Sequence, residues 1–337
     1  MELSNSKKRI NKFLQIFFPL LLGAVILLWT YHGFDFQGVS SAFVEMDYGW
    51  MAFSLVFGVF GHLFRGWRWT LALDPLGEHP KNSNCVYAVF VSYAANLVVP
   101  RIGEISRCGI LSKYDGISFT KSLGTVVTER LIDTLCILII TGLTLLLQSG
   151  VFADFFAITG TRTAAFSSLF TPTNFFITLA CLIVLAVFVV FLLRRFAIFS
   201  KVRGILRNIW QGCLSLRNVK NLPLFLFYTI GIWACYFFQF YVAFYAFDFS
   251  SHLGWMAGLV MFVVGSIAVA VPTPNGAGPW HFAVITMMMM YGITKTEAGI
   301  FALLVHGIQT FLLILLGIYG MVALQLTNKS FKNKNSH

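Results

Sequence analysis

Residues 92–107 read Ser92-Tyr-Ala-Ala-Asn-Leu-Val-Val-Pro-Arg-Ile-Gly-Glu-Ile-Ser-Arg107, and residues 265–281 read Gly265-Ser-Ile-Ala-Val-Ala-Val-Pro-Thr-Pro-Asn-Gly-Ala-Gly-Pro-Trp-His281. Each stretch is an apolar run that is interrupted by proline and glycine and then continues as a second, shorter run. Inside a membrane, such an interruption leaves backbone N–H and C=O groups that only protein or a water-filled cavity can satisfy. Paired interruptions in the two halves of a polytopic protein are typical of a transporter-type site near the bilayer midplane.

The rest of the composition agrees with a membrane location. The 337 residues are 58% hydrophobic and only 11% charged, and the mean hydropathy is +0.78. A soluble domain of this length does not have such a composition, so the chain is predicted to be an integral membrane protein.

Apolar runs near the roughly 20 residues that a helix needs to cross a bilayer predict full spans. They lie at about 13–31, 49–73, 121–147, 174–193, 222–247 and 297–325. The runs 84–111 and 254–291 are broken at Pro100 and at 272–279, and most of their arms are too short to cross separately. The predicted fold is therefore an all-α polytopic membrane protein with about six full spans and two re-entrant helical hairpins.

Basic residues predict the orientation, because cytoplasmic loops carry an excess of Lys and Arg. With the amino terminus inside, 17 of the 24 basic residues fall on the cytoplasmic side and two, Arg162 and Lys295, fall outside. Both termini are then cytoplasmic. The net charge of +11 is explained by a basic face beside anionic lipid headgroups, and no nucleic-acid partner is expected.

The predicted topology divides the chain into three segments. Residues 1–12 form a basic cytoplasmic amino terminus, 13–326 a single transmembrane domain, and 327–337 a basic cytoplasmic tail. Within the domain, half one spans about 49–147 and half two about 222–325, with hairpins that enter from opposite sides. An offset of 176 aligns the segments after the two hairpins, so that Arg130 meets His306 and Asp133 meets Gln309. An inverted-topology repeat is predicted; the alternative is chance similarity between apolar hairpins.

Three charged groups fall within or beside the apolar runs of half one, where ionisable residues are costly and are functional candidates. Their five arginines and three acids, with a net charge of +2, predict a cavity that attracts a phosphate group. Three alternatives remain: arginines that snorkel beside interfacial tryptophans, a neutral stripe that only holds the hairpin together, and a structural salt-bridge network. The groups are Arg65 with Arg68; Arg101, Glu104 and Arg107; and Glu129, Arg130 and Asp133.

Half two supplies polar groups of another kind, without a carboxylate or an arginine at its interruption. A histidine at this depth is either a proton carrier or a neutral hydrogen-bonding residue. No clustered His, Cys or carboxylate ligands are visible, so no metal site is predicted. The candidate binding residues are Asn275, Gly276, Gly278, His281, His306 and Gln309.

Four motifs occur in order along about residues 10–325: Arg65-x-x-Arg68-Trp69, Asn96-x-x-x-Pro100-x-x-Gly103-Glu104-x-x-Arg107, Glu129-Arg130-x-x-Asp133 and Pro272-x-Pro-x-Gly276-x-Gly278. Together they resemble the flippase-like transmembrane domain of lysylphosphatidylglycerol synthases, a family that also occurs as stand-alone membrane proteins of bacteria and archaea. The resemblance implies translocation of an anionic or aminoacylated phospholipid between leaflets. It carries over candidate cavity residues, namely Arg65, Arg68, Asn96, Glu104, Arg107, Glu129, Arg130 and Asp133.

The chain departs from this family in two ways. The synthases continue into a soluble aminoacyl-transferase domain, whereas this sequence stops at His337, so lysyl transfer is expected to be absent. His281 stands where family members often carry a glutamate, which puts any mechanism that needs that carboxylate in doubt.

The sequence favours a lipid flippase or transporter in the bacterial cytoplasmic (inner) membrane, acting on an anionic, aminoacylated or polyprenyl-phosphate lipid. No nucleotide-binding loop is present, so transport would be driven by a gradient or run downhill. No enzymatic activity and no cofactor are expected. The alternatives are a non-catalytic membrane partner of a lipid or glycan synthase, and an intramembrane enzyme that acts on lipid headgroups.

Overall fold

The computed structural model describes residues 17–34, 36–148 and 219–328, and these ranges are helical without a strand. The helices are α1 (Phe17–Thr30), α2 (Gln37–Glu45), α3 (Tyr48–Leu73), α4 (Asn82–Val98), α5 (Ile102–Asp115), α6 (Phe119–Leu147), α7 (Leu222–Val242), α8 (Trp255–Ala268), α9 (Pro279–Met290) and α10 (Lys295–Thr327). Single 3₁₀ turns lie at Asp74–Leu76, Ala243–Ala246 and Pro274–Gly276. The predicted span 174–193 lies outside the described residues.

Three described helices are long and apolar enough to cross a membrane: Phe119–Leu147, Leu222–Ala246 and Lys295–Thr327. Their bounds lie within about two residues of the predicted runs, because these long segments carry few polar residues. The fold is thus confirmed as a helical membrane protein.

Helix α3 matches the predicted span 49–73, but it qualifies as a span only together with α2, from which it is bent by 84°. The bend lies at Asp47, whose carboxylate accepts hydrogen bonds from the backbone N–H groups of Gly49 and Trp50 at 2.7 and 3.1 Å. This is an N-cap, which satisfies donors that the first helical turn leaves free. Helix α2 itself was not predicted.

Both predicted interruptions are breaks between helices. Helix α4 ends at Val98 and α5 begins at Ile102, with Arg101 between them at a φ of +65°. Helix α8 ends at Ala268, so the second break begins slightly before the predicted 272–279. It contains Asn275 and two glycines at positive φ, a conformation that glycine and asparagine adopt at least cost.

The loops gather at two ends of the molecule. The Lys81 end consists of 74–81, 115–118, 219–221 and residue 328. There Lys81 donates to Asn328 at 3.1 Å and Lys220 pairs with Asp74 at 3.2 Å. The Glu78 carboxylate accepts from Lys121, and this hydrogen bond lowers the pKa of Glu78. The Met46 end consists of 31–34, 36, 46–47, 247–254 and 291–294, where Met46, Leu253 and Ile293 belong to one apolar core.

The two hairpins open toward opposite ends. At the Lys81 end, Asn84 near the start of α4 donates to Asp115 at the end of α5 over 2.8 Å. Helix α8 starts beside Leu253 and α9 ends before Ile293, both at the Met46 end. Accordingly α3 and α10 run toward the Lys81 end, while α6 and α7 run away from it.

Close packing joins the two halves. Helix α3 lies along α7, α10 lies along α4, and α6 contacts α8. Within the first hairpin, α4 and α5 cross at Gly103, where an added Cβ would overlap the backbone carbonyl of Ser92. Because the obstacle is backbone, only a shift of the whole helix would relieve it.

We expect Gly103→Ala to destabilise the protein by about 1–3 kcal/mol, the usual cost of overpacking a closely fitted contact. The measurement is the thermal unfolding midpoint of the purified protein in detergent. Gly109→Ala, in the same helix but with no atom within 4 Å of an added Cβ, is the matched control. It should leave the midpoint unchanged or raise it, because alanine is the better helix former. Equal losses for both variants would contradict this account of the hairpin.

Candidate functional site

Helices α3 and α6 form an antiparallel ladder of polar contacts. Arg65 Nη1 lies 2.7 Å from Asp133 Oδ2, and Arg68 Nη2 lies 2.9 Å from Asp133 Oδ1. Arg68 Nε also lies 3.4 Å from Glu129 Oε1. The arginines are three residues apart and the acids four apart, so each pair occupies one helix face. The arginine face of α3 and the oppositely charged carboxylate face of α6 therefore meet along about one helical turn.

Arg107 joins the ladder from α5. Its Nη2 lies 2.6 Å from Glu129 Oε2, and its guanidinium carbon lies 4.5 Å from the centroid of the Trp69 ring. Trp69 Nε1 donates to Thr125 at 2.9 Å, which fixes the ring. Arg107 Nε and Nη1 form no hydrogen bond with the described residues, so the ring face is what covers them, as in a cation–π contact.

These five charged side chains are buried; Arg68 is 0% exposed and Arg107 1%. Three guanidinium groups face two carboxylates, which leaves a net charge of +1. The snorkelling interpretation of Arg65 and Arg68 is therefore wrong, and Trp69, which is 0% exposed, packs inside the protein rather than against lipid headgroups. Helix α3 instead turns its arginines toward the carboxylates of α6, since a buried charge needs a partner.

Arg130 differs from these arginines. Its Nε lies 3.3 Å from Glu104 Oε1, and its Nη1 is 3.9 Å from Asp133 Oδ2, beyond a hydrogen bond. The Arg130 side chain is 42% exposed and that of Glu104 23%. Glu104 and Arg130 thus form a partly accessible pair beside the buried ladder, and within the described residues Arg130 Nε has no hydrogen-bond partner.

The first break contributes two further predicted residues. Asn96 Oδ1 accepts from the backbone N–H of Gly103 at 2.8 Å and so ties the end of α4 to the start of α5. Arg101 is exposed in the break and forms no ion pair with the described residues. Asn96 therefore lies at the site, whereas Arg101 stands apart from the ladder.

The second break forms its own polar group with α10. Asn275 Nδ2 donates to Thr310 at 3.1 Å, and the Asn275 carbonyl lies 3.1 Å from His306 Nε2. The N–H of Gly278 donates to His281 Nδ1 at 3.4 Å. The two imidazole rings are 4.6 Å apart. A ring nitrogen that accepts an N–H is unprotonated, so the geometry fits a neutral His281 with a structural role.

The structure does not bring all the predicted residues into one group. The turn Pro274–Gly276 contacts α4, so the second break reaches the first hairpin. Among the described residues, however, no hydrogen bond or ion pair joins the arginine ladder to the histidine pair. Gln309, which the 176-residue offset aligns with Asp133, has a buried Nε2 without a partner in this part of the chain.

Four contributors to the site were not singled out from the sequence. Thr229 and Tyr236 of α7 accept from Arg68 Nη1 at 3.4 Å and from Arg65 Nε at 3.2 Å. Tyr93 of α4 lies 3.2 Å from the Tyr236 hydroxyl, and the His62 ring lies 4.3 Å from the Tyr93 ring. The seven-residue spacing of Thr229 and Tyr236 places both on one helix face, but only the packing of α7 on α3 turns that face inward.

Metal ligation finds no support in the described residues. Within 17–34, 36–148 and 219–328, no group of three His, Cys, Asp or Glu side chains could hold a metal ion.

The ladder generates a prediction that compares two glutamates. Glu129→Gln should destabilise the fold by about 3–5 kcal/mol, because it leaves buried Arg68 and Arg107 short of negative charge. Glu104→Gln, which removes the partner of the accessible Arg130, should cost about 1 kcal/mol or less. Denaturant or thermal unfolding in detergent checks this; similar losses for the two variants would show that burial does not distinguish the pairs.

Comparison with known proteins identifies the family of this chain. No curated protein and no solved structure matches it. A family model described as the lysylphosphatidylglycerol synthase TM region matches residues 16–317, nearly the whole sequence. The match covers every residue of the arginine ladder and of the histidine pair. The chain belongs to the family of the lysylphosphatidylglycerol synthase transmembrane region.

Proposed function

We propose that this membrane protein translocates a lipid with an anionic headgroup between leaflets, through a polar cavity between two inverted halves. The observation that carries this proposal is Arg130, whose side chain is 42% exposed beside a buried cluster of net positive charge. The lipid is an anionic or aminoacylated phospholipid or a polyprenyl-phosphate lipid, and the membrane is the bacterial cytoplasmic membrane.

The lengths of the hairpin arms support re-entrant hairpins. At 1.5 Å per residue, α4, the longest arm, is about 25 Å long and α9 only about 18 Å. Both are shorter than the roughly 30 Å hydrocarbon core. The breaks then lie inside the membrane, where their free backbone groups require a polar surrounding. Such a surrounding is what a lipid headgroup needs when it crosses the bilayer.

The packing supports an inverted-topology repeat. Each half has a long helix, a hairpin and a second long helix, and the hairpins open toward opposite ends. The first long helices α3 and α7 pack together, and the last helix of each half lies against the other half's hairpin: α10 on α4 and α6 on α8. Helices α6 and α10 begin at Phe119 and Lys295, which are separated by the same 176 residues as the sequence match. Rocking of two such halves gives alternating access.

The lysines support a cytoplasmic Lys81 end. Four described lysines, Lys81, Lys113, Lys121 and Lys220, lie at or near it, whereas Lys295 belongs to the other end. This distribution follows the rule that basic residues stay in the cytoplasm. The first hairpin, with Arg130 nearby, then opens toward the cytoplasm.

The carboxylates argue against the enzyme alternative. Glu129 and Asp133 are both paired with buried arginines, and an ion-paired carboxylate is a weak base. Glu104 is bound to Arg130. A non-catalytic partner of a lipid or glycan synthase would not need these residues for its role. Loss of lipid transport after their substitution would therefore favour the transporter over the partner.

The test is leaflet exchange of a fluorescent phosphatidylglycerol in proteoliposomes of the purified protein. We expect exchange well above that of protein-free vesicles, and slower exchange for a zwitterionic phosphatidylcholine probe. Folded protein without any exchange above the background would reject translocation. Retained exchange with no headgroup preference would reject the anionic site.

Arg130→Gln should slow phosphatidylglycerol exchange about tenfold or more, since a hydrogen bond to a charged group contributes about 1.5–3 kcal/mol. The fold should tolerate the change because the side chain is half exposed. Lys113→Gln, at an exposed lysine of α5, removes one positive charge elsewhere and should exchange lipid like the unaltered protein. If the two variants behave alike, Arg130 does not contact the headgroup.

A further inference from the structure

Tyr93 and Tyr236 form a hydroxyl pair that bridges the two halves beside the arginine ladder. Tyr93 is on α4 of the first hairpin and Tyr236 on α7 of the second half, and their oxygens are 3.2 Å apart. Arg65 Nε donates to the Tyr236 oxygen at 3.2 Å. The Arg65 guanidinium carbon lies 5.9 Å from the centroid of the Tyr93 ring and 5.8 Å from that of Tyr236.

The charge of Arg65 gives this chain of hydrogen bonds a direction. A guanidinium attracts the lone pairs of Tyr236 and turns its O–H dipole away, toward the Tyr93 oxygen. Tyr93 then accepts from Tyr236, and its own hydrogen needs another acceptor. Chains of hydrogen bonds polarise one another, so the Tyr93 hydroxyl is a stronger donor than an isolated phenol.

Two other donors lie in the same region of the site. Arg130 Nη1 lies 3.9 Å from Asp133 Oδ2, the same oxygen that Arg65 Nη1 approaches to 2.7 Å, so Arg130 is adjacent to the arginine that binds the tyrosine pair. Asn96 lies three residues after Tyr93 on the same face of α4. Because its oxygen accepts from the Gly103 N–H, its NH₂ group points away from that bond. The site thus offers a guanidinium, an amide NH₂ and a phenol O–H, and a phosphate is the headgroup component that has only acceptors.

We propose that Tyr93 contacts the headgroup: its hydroxyl, polarised by Arg65 through Tyr236, donates to the phosphate that Arg130 binds. This inference rests on the proposed transport of an anionic lipid and names the phosphodiester of that lipid as the group that Tyr93 contacts. The net positive charge of the neighbouring cluster disfavours phosphatidylcholine, in which the same phosphodiester is followed by a choline cation. Because Tyr236 belongs to the second half, phosphate binding strengthens a hydrogen bond between the halves. The substrate thereby favours the conformation in which α4 and α7 are in contact.

The ring of Tyr236 is held in place by α3. An added Cβ at Gly61 would lie 2.9 Å from its Cε1, so Gly61→Ala would displace the ring without removing a donor. Gly61→Ala therefore shifts the Tyr236 hydroxyl, whereas Tyr236→Phe removes it. Both variants should weaken the hydrogen bond that Tyr93 donates, because both disturb the hydrogen bond between Tyr236 and Tyr93.

The experiment measures binding of dihexanoyl phosphatidylglycerol, below its micellar concentration, to the full-length protein in detergent. Dihexanoyl phosphatidylcholine is the comparison ligand. Tyr93→Phe should raise the Kd for phosphatidylglycerol about tenfold, near the lower limit for a hydrogen bond to a charged group. Tyr236→Phe and Gly61→Ala should raise it less.

Tyr241→Phe is the matched control, because it breaks another tyrosine pair, Tyr241 with Tyr245 at 2.7 Å, away from the arginines. Its Kd should equal that of the unaltered protein. A Tyr93→Phe variant with unchanged Kd overturns the role of Tyr93, while the proposed function stands if the unaltered protein still prefers phosphatidylglycerol. An unaltered protein that binds both lipids equally overturns the anionic site itself.

A second variant decides the matter if Tyr93→Phe does not fold. Incorporation of 3-fluorotyrosine at position 93 keeps the ring and its packing and makes the hydroxyl more acidic. A donor to phosphate then binds phosphatidylglycerol more tightly, whereas a residue that only fills space does not. Unchanged or weaker binding of the fluorinated protein would overturn the inference.

Discussion

Two buried carboxylates, Glu129 and Asp133 on α6, hold together helices that sequence alone would leave independent. They pair with Arg65 and Arg68 of α3 and with Arg107 of α5, so the first hairpin and two long helices depend on the same charges. In a medium of low dielectric constant, removing any one partner leaves a charge that nothing replaces. The position of α5, and with it the accessible Glu104–Arg130 pair, follows from this requirement.

The same requirement separates residues that maintain the site from residues available to a ligand. Arg65, Arg68 and Arg107 are bound by carboxylates, hydroxyls or an aromatic ring. Among the described residues, Arg130 lies 3.3 Å from Glu104 and 3.9 Å from Asp133, and 42% of its side chain is exposed. A cluster with one positive charge in excess can hold its arginines in place and still attract an anion, as the proposed binding and release of a headgroup would require.

In the second half, neutral side chains satisfy the polar backbone groups of the break. This break is closed by hydrogen bonds from Asn275 to Thr310 and between His306 and the Asn275 carbonyl, with His281 accepting at the start of α9. Neutral groups are sufficient here because no buried charge has to be balanced. The two breaks therefore differ in chemistry, since the first lies beside buried ion pairs and the second is held by neutral hydrogen-bonding groups.

The sequence alone determined the long helices, the two breaks and the list of charged candidates, because apolar length, proline and glycine, and charge at membrane depth each act within one segment. It did not determine which arginine is buried and which is accessible, since Arg107 and Arg130 look alike until α5 packs on α6. Nor did it single out Tyr93, Thr229 or Tyr236, which are three among many tyrosines and threonines. Only the packing of α4 and α7 on α3, set by side-chain shape over distant parts of the chain, directs them toward Arg65 and Arg68.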